Sequence, residues 1–151
     1  MADMTSVLKL VPHSEPAVPN VLEWRSVDLN FGATANAAMK AAGTHNILTI
    51  PVNYVFVGGY VLVHTKVAST SNDTIQFKVG SDTWTAAIAA DGTEWDAGDV
   101  VALTPNDYDD TAGTLGFAKS AGDTLDMVVD DHALTAGRLL LYACLIDIHA
   151  W

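Results

Sequence analysis

The sequence predicts an all-β protein: an antiparallel β-sandwich of the jelly-roll kind, with an extended N-terminal arm and at most one short helix. Three observations carry this. Short runs of alternating apolar and polar residues follow one another from Trp24 to Ile148, divided at frequent intervals by clusters of Gly, Asp, Ser and Asn. Fifteen of the 18 acids are aspartate, whose short side chain bonds nearby amides in turns, whereas glutamate favours helices. Long helical patterns alternating with the strands are missing, which argues against a doubly wound α/β fold. A chain of 151 residues, half of them hydrophobic, has material for one sizeable core and is too apolar for general disorder. We divide it into an arm, 1–22, and a sandwich domain, 23–151.

In the arm, Val7-Leu-Lys-Leu-Val11 is a short extended patch, and Pro12, Pro16 and Pro19 interrupt any regular ladder. Prolines so spaced favour a chain lying extended on a surface, its own or a neighbour's. A disordered tail is the alternative, against which Val7, Leu8, Leu10, Val11, Val18, Val21 and Leu22 weigh as too apolar. Trp24 to Phe31 alternates, with Val27, Leu29 and Phe31 on one face and Ser26, Asp28 and Asn30 on the other, a half-buried strand. Ala33 to Ala42, closed by Gly43, is the single helical signal, though its alanines would also pack inside a loop.

From Asn46 the pattern is nearly all strand. Ile47–Ile50, Tyr54–Val57 and Tyr60–Val67 follow one another, and Gly58-Gly59 marks a turn or bulge between the last two. After the polar turn 69–73, Thr74–Val79 points Ile75, Phe77 and Val79 inward, and a turn at 80–82 leads into a strand Thr83–Ile88. Asp91-Gly92 has hairpin chemistry, Val100–Leu103 is a further strand, and 105–113 is an acidic loop. Asp123–Val129 and Arg138–Ile148 close the chain across a turn at 130–137, giving eight or nine strands.

The net charge is −11, from 18 acids and 7 bases. So acidic a chain is a poor ligand for phosphate backbones or anionic membranes, which lysine and arginine must neutralise. All of that charge lies between Asp73 and Asp131, where 13 acids face only Lys78 and Lys119; elsewhere acids and bases balance. We therefore expect neither nucleic acid nor membrane as a partner, with an acidic side toward solvent and a neutral side toward a partner.

Catalytic signatures are missing. There is no phosphate-binding glycine loop, no Gly-x-Ser-x-Gly elbow and no His-Glu-x-x-His. The five histidines lack ligand-like local spacing, and Cys144, the lone cysteine, sits in an apolar run where a buried small hydrophobe is the plain reading. A single cysteine excludes an intrachain disulfide. Neither a signal peptide nor an apolar run long enough to span a bilayer is legible. No cofactor is expected. Asp107, Asp109 and Asp110 are the calcium candidates, because several oxygen ligands in one loop suit that ion; a solvated acidic loop is the plainer reading. Trp84 and Trp95 flank the turn at Asp91-Gly92, and with Tyr108 they could form a sugar-stacking platform; core or interface residues are the plainer reading. Trp151, directly after the last strand, is a second aromatic to be covered by a neighbour.

The closing segment Ala121–Val129, Leu134–Ala143 and Ile146–Ile148, together with Trp84–Ile88 and Trp95–Leu103, resembles the small jelly-roll virion proteins of tailed bacteriophages. The resemblance covers the C-terminal half and rests on pattern rather than a diagnostic motif. It implies a capsid decoration or cement protein without enzymatic activity. Such a protein would be made in the host cytoplasm, sit on the capsid exterior, bind the major capsid protein and associate as a homotrimer. The alternative is a virion fibre, receptor-binding or carbohydrate-binding jelly roll. Under the first reading the partner-binding residues are Val7, Leu8, Leu10, Val11, Trp24 and Trp151.

Overall fold

A computed structural model describes residues 22–71, 73–80, 82–104 and 123–147. The arm residues before Leu22, the acidic loop with Asp107, Tyr108, Asp109 and Asp110, and Trp151 lie outside the described residues. Among the described residues nine strands follow one another: β1 Leu22–Asn30, β2 Gly43–Thr49, β3 Tyr54–Ser69, β4 Thr74–Val79, β5 Asp82–Thr83, β6 Ile88–Ala89, β7 Val100–Leu103, β8 Thr124–Val129 and β9 Leu134–Asp147. Every pairing is antiparallel.

A front sheet runs β1-β9-β3-β7, and a back sheet runs β2-β8-β4 with β5 and β6 both pairing to the far side of β4. Taking β5 and β6 as one interrupted strand leaves eight, ordered 1-8-3-6 against 2-7-4-5. This is the strand order of a jelly roll, in which chain neighbours mostly lie in opposite sheets. The period-two alternation read from the sequence directs Leu29, Val61, Val63, Leu139 and Leu141 inward from the front sheet. Ile75, Phe77, Leu125, Met127 and Val129 meet them from the back. Each such side chain, taken fully out of water, contributes about 1.5–3 kcal/mol.

Several local expectations change. The alanine-rich stretch forms a 3-10 helix over Thr34–Lys40 with no side-chain N-cap, and Gly43 opens β2 rather than capping a helix. A second 3-10 turn, Thr93–Trp95, follows the Asp91-Gly92 pair, so that pair turns the chain into a helical turn and not a hairpin. β9 begins at Leu134, four residues before the expected start, because a tight turn at 130–133 with Asp131 at φ +51° suffices. Leu22, grouped with the arm from sequence, is the first residue of β1.

The expected strand Thr83–Ile88 is broken in two. The hydroxyl of Thr85 accepts the Phe77 N–H at 2.8 Å, where a continuous strand would supply a backbone carbonyl. The Gln76 amide meanwhile donates to the Thr85 carbonyl at 3.2 Å. Breaking the ladder here turns Trp84 into the core.

Gly58-Gly59 resolves as a bulge within a continuous β3, the register against β9 shifting between Phe56 and Gly58. The need for glycine is steric: a Cβ at Gly59 would lie 2.0 Å from the Tyr142 carbonyl oxygen.

One buried carboxylate ties the loops at one end of the sandwich. Asp73, 1% exposed, accepts the backbone N–H of His132 at 2.9 Å, and its Oδ1 lies 3.1 Å from His132 Nδ1. Its other oxygen accepts the Ser69 hydroxyl, and its carbonyl accepts the Ala90 N–H at 2.7 Å. The turn between β3 and β4, the end of β6 and the turn before β9 are thereby fastened together. Burial acts to raise the Asp73 carboxyl, but the bonds from Ser69 and His132 outweigh it and hold the group below its ordinary value of 3.8. The native state therefore favours the ionised form. Its stabilisation is present above the unfolded value and is lost as pH falls through the lower folded one. Asp73→Asn is expected to melt below the parent protein around neutral pH, with the gap closing as pH drops below about 4. Melting curves across a pH series check this; a gap constant with pH would contradict it.

Candidate interaction surface

An antiparallel sheet with one face on the core ordinarily presents polar residues on the other. The back sheet largely obeys: its open face carries Thr74, Gln76 and Lys78 from β4, Thr124, Asp126 and the half-buried Val128 from β8, and Thr44 and Asn46 from β2. The front sheet does not. Because residues directly opposite in a ladder share a face, its registers define rows. Leu22, Ile146 and Val55 form the first, and Trp24, Cys144 and Gly58 the second. Tyr142, Tyr60 and Ala102 follow with Ser26, and then Leu140, Leu62 and Val100 with Asp28. The surface is apolar almost throughout.

Its aromatic centre is ordered. Tyr60 stacks on Tyr142 with ring centroids 4.9 Å apart at 22°, and Trp24 leans on Tyr60 at 5.9 Å and 55°. Offset aromatic contacts of this kind hold ring faces in fixed positions at low entropic cost to a partner. Leu22, Trp24 and Val100 are each more than half exposed, at 58%, 55% and 61%. Cys144 sits within this layer, and burial pushes its thiol up from its ordinary range, so it is the buried hydrophobe expected from sequence.

Charge is confined to the border. Arg138 grips Asp28 with two parallel hydrogen bonds, Nε to Oδ1 at 3.0 Å and Nη2 to Oδ2 at 2.7 Å. This bond holds the Asp28 carboxyl below the usual range and lifts the guanidinium, so the pair stays ionised and mutually neutralised. On the opposite face of β1, which also carries Val27 and Leu29, Arg25 pairs with Glu23 at 2.7 Å and lies over the Tyr54 ring. The described acids of the middle segment lie elsewhere, chiefly in the turns around Asp91–Asp99 and Asp130-Asp131. Lys66, which projects toward the former, is paired with Asp96.

Of the residues singled out from sequence, Trp24 is exposed at the heart of this surface. Trp84 and Trp95 are buried, at 1% and 0% exposure, which corrects their reading as sugar-stacking rings: neither offers a face to a ligand. Trp84 packs against Phe56 at 4.5 Å, and neither indole N–H has a hydrogen-bond partner among the described residues. Val7, Leu8, Leu10, Val11, Tyr108, Trp151 and the calcium candidates Asp107, Asp109 and Asp110 lie outside the described residues. Among the described residues no three His, Cys, Asp or Glu side chains gather as a metal would need. An open groove of about 460 Å³ beside β7, lined by Ile88, Thr93, Glu94, Asp99, Val100 and Val101, contains neither histidine nor cysteine.

Sequence reasoning missed Tyr60, Tyr142 and Val100. The signal was there: Tyr60-Val-Leu-Val63 and Leu139-Leu-Leu-Tyr-Ala143 are apolar on both alternating faces. In an antiparallel sheet such runs mean that both faces are to be covered.

The fold has relatives among solved structures. A chain of the cyanophage Pam1 capsid asymmetric unit is similar with a TM-score of 0.50 and 15% identity, over 87% of this chain and 89% of that one. A chain from the capsid of Ralstonia phage GP4 scores 0.47 at 18% identity, with 88% of each covered. One from the acid-stable capsid of Helicobacter pylori bacteriophage KHP30 scores 0.44 at 12%, with 85% and 90% covered. No protein-family model and no curated protein matches the sequence. At these identities the likeness is one of fold.

Proposed function

We propose that this chain is a structural protein of a tailed-phage virion, a decoration or cement protein that sits on the outside of the head and stabilises it. The observation that carries the reading is the apolar open face of the front sheet, centred on Trp24, Tyr60 and Tyr142. A contiguous exposed patch of this kind marks a surface that is covered in the working assembly. The shared fold with a chain of the Pam1 capsid supplies the setting. Charge placement bears on it: the described acids of the middle segment lie outside the rows of the apolar face, with Glu94 and Asp99 at its edge beside Val100.

The work is mechanical. Many modest apolar contacts, repeated over a symmetric shell, sum to a large stabilisation without any bond being made or broken. Under this reading the partners are the major capsid protein and further copies of the chain, arranged as a homotrimer, with no cofactor and no reaction. The alternative as a carbohydrate-binding module loses Trp84 and Trp95, the two tryptophans it rested on.

The test is co-sedimentation of purified protein with expanded, undecorated heads. Saturable binding at a fixed copy number and a raised disruption temperature of the heads are expected, and Trp24→Ser is expected to weaken binding at least about tenfold, or ~1.4 kcal/mol. Protein remaining wholly in the supernatant overturns the reading.

A further inference from the structure

We infer that the cleft along the β7 side of the sandwich accepts, by strand addition, an extended segment of another protein that carries an aliphatic and a basic side chain two positions apart. The inference rests on this cleft alone and holds whatever covers the apolar face of the front sheet.

β7 is the outer strand of the front sheet, and β6 pairs with the outer side of β4 in the back sheet. The groove of about 460 Å³ beside β7 is floored by Ile88 of β6 and Val101 of β7, partly buried side chains that pack against the core. Glu94 and Asp99 line it too, and neither has an ion-pair partner among the described residues; the base nearby, Lys66, is taken by Asp96. The groove shares only Val100 with the rows of the apolar face. The edge of β7 beside it is free to pair. Val63 donates its N–H to the Asp99 carbonyl at 2.9 Å. Bonded and non-bonded residues alternate along an antiparallel ladder, so Val101 and Leu103 turn their N–H and C=O groups to β3, while Val100 and Ala102 turn theirs outward. Thr104, the next outward residue, already bonds on this side, its N–H donating to the Trp84 carbonyl at 3.0 Å. The outward groups of Val100 and Ala102 have no partner among the described residues.

The register of such an addition fixes the chemistry of the occupant. An antiparallel strand laid along β7 bonds through the residues opposite Val100 and Ala102, and sends those opposite Val101 and Asp99 into the cleft. The residue opposite Val101 meets Ile88 and Val101, which suits an aliphatic side chain. Two positions later in the incoming segment, the residue opposite Asp99 meets the carboxylates of Asp99 and Glu94, which suits lysine or arginine. The same two carboxylates oppose an acidic segment. They also oppose a second copy pairing β7 to β7, since that would bring two acidic rims together, one of the ways an edge strand avoids its own kind.

The test titrates the full chain into a fluorescein-labelled peptide, Gly-Ser-Val-Thr-Arg-Thr-Gly, and follows fluorescence anisotropy. Saturable binding is expected. Replacing the peptide's arginine by glutamate is expected to weaken it at least about tenfold, because a like charge then meets the rim. N-methylating the serine and threonine that flank its valine, the residues opposite Ala102 and Val100, removes the ladder donors and is expected to weaken binding by a similar factor, about tenfold. Both comparisons leave the protein itself unaltered, so folding does not enter them. The doubly substituted protein, Glu94→Gln with Asp99→Asn, is expected to bind the arginine and glutamate peptides equally. An absence of saturable binding, an N-methylated peptide that binds as well as its parent, or equal binding of the two charge forms by the unaltered protein overturns the proposal. So does a preference for arginine that survives in the doubly substituted protein. Capsids are absent from the assay, so its failure and a failure of shell binding are read independently.

Discussion

Gly59→Ala is expected to destabilise the protein by about 3 kcal/mol, at the upper end of what overpacking ordinarily costs. The bulge in β3 brings the Cβ position of Gly59 to 2.0 Å from the Tyr142 carbonyl oxygen, 3.0 Å from its carbonyl carbon and 3.2 Å from Ala143 Cα. All three obstacles are backbone atoms of β9, the central strand paired with both β1 and β3. No rotamer relieves a clash with backbone; β3 and β9 must separate, and hydrogen bonds and aromatic rows go with them. Urea denaturation checks the expectation, as a midpoint lowered by ~1–3 M with an unchanged slope. Gly32→Ala is the control, since its Cβ would meet only the Asn30 side chain at 3.3 Å, on an exposed turn. Equal midpoints for the two variants would contradict the register described for β3 and β9.

Trp84→Ala is expected to cost about 3–5 kcal/mol, as deletion of a large buried aromatic does, whereas Trp24→Ala should change stability by less than ~1 kcal/mol. Trp84 is 1% exposed, stacks obliquely on Phe56 and is fixed at both ends of its backbone: its N–H donates to the Phe77 carbonyl and its carbonyl accepts the Thr104 N–H. Removing the indole leaves a cavity between β3, β4 and the start of the 104 segment that a rigid ladder cannot close. Trp24 has its ring on the open face, so its loss empties nothing inside. The two substitutions thus separate folding from association: the first lowers the denaturation midpoint, and the second spares it while weakening assembly. Similar midpoints for both would contradict the opposite burial of the two rings.

The contrast between these tryptophans shows where sequence reading stops. Both stand in strand-like surroundings, Trp24 before an alternating run and Trp84 within Thr83–Ile88. Alternation identified the inward residues Leu29 of β1, Phe31 directly after it, and Ile75, Phe77 and Val79 of β4, because a period of two is a property of the extended backbone itself. It could not foresee that the Thr85 hydroxyl would take the Phe77 N–H, break the strand and send Trp84 inward, since that contact joins residues eight apart. The candidate surface was legible only at Trp24. Tyr60 and Tyr142 are 82 positions apart in number, and only pairing of β3 with β9 stacks their rings. Likewise Asp73 reads as one turn aspartate among many until His132, 59 residues on, donates to it.

By itself the sequence determined the all-β class, the approximate number of strands, their inward residues and the placement of the whole net charge in the middle segment. These depend on local properties: side-chain alternation, turn chemistry and composition. Tertiary structure decided the jelly-roll order over other Greek-key sandwiches, the bulge at Gly58-Gly59, and which aromatic residues are core and which are surface. The reason is that sheet order is set by long-range pairings, β1 with β9 and β2 with β8, whose energy comes from burying one face of each strand against another sheet. A strand such as β9, apolar on both sides, has two faces to offer, and only the assembled sandwich shows which one it leaves open.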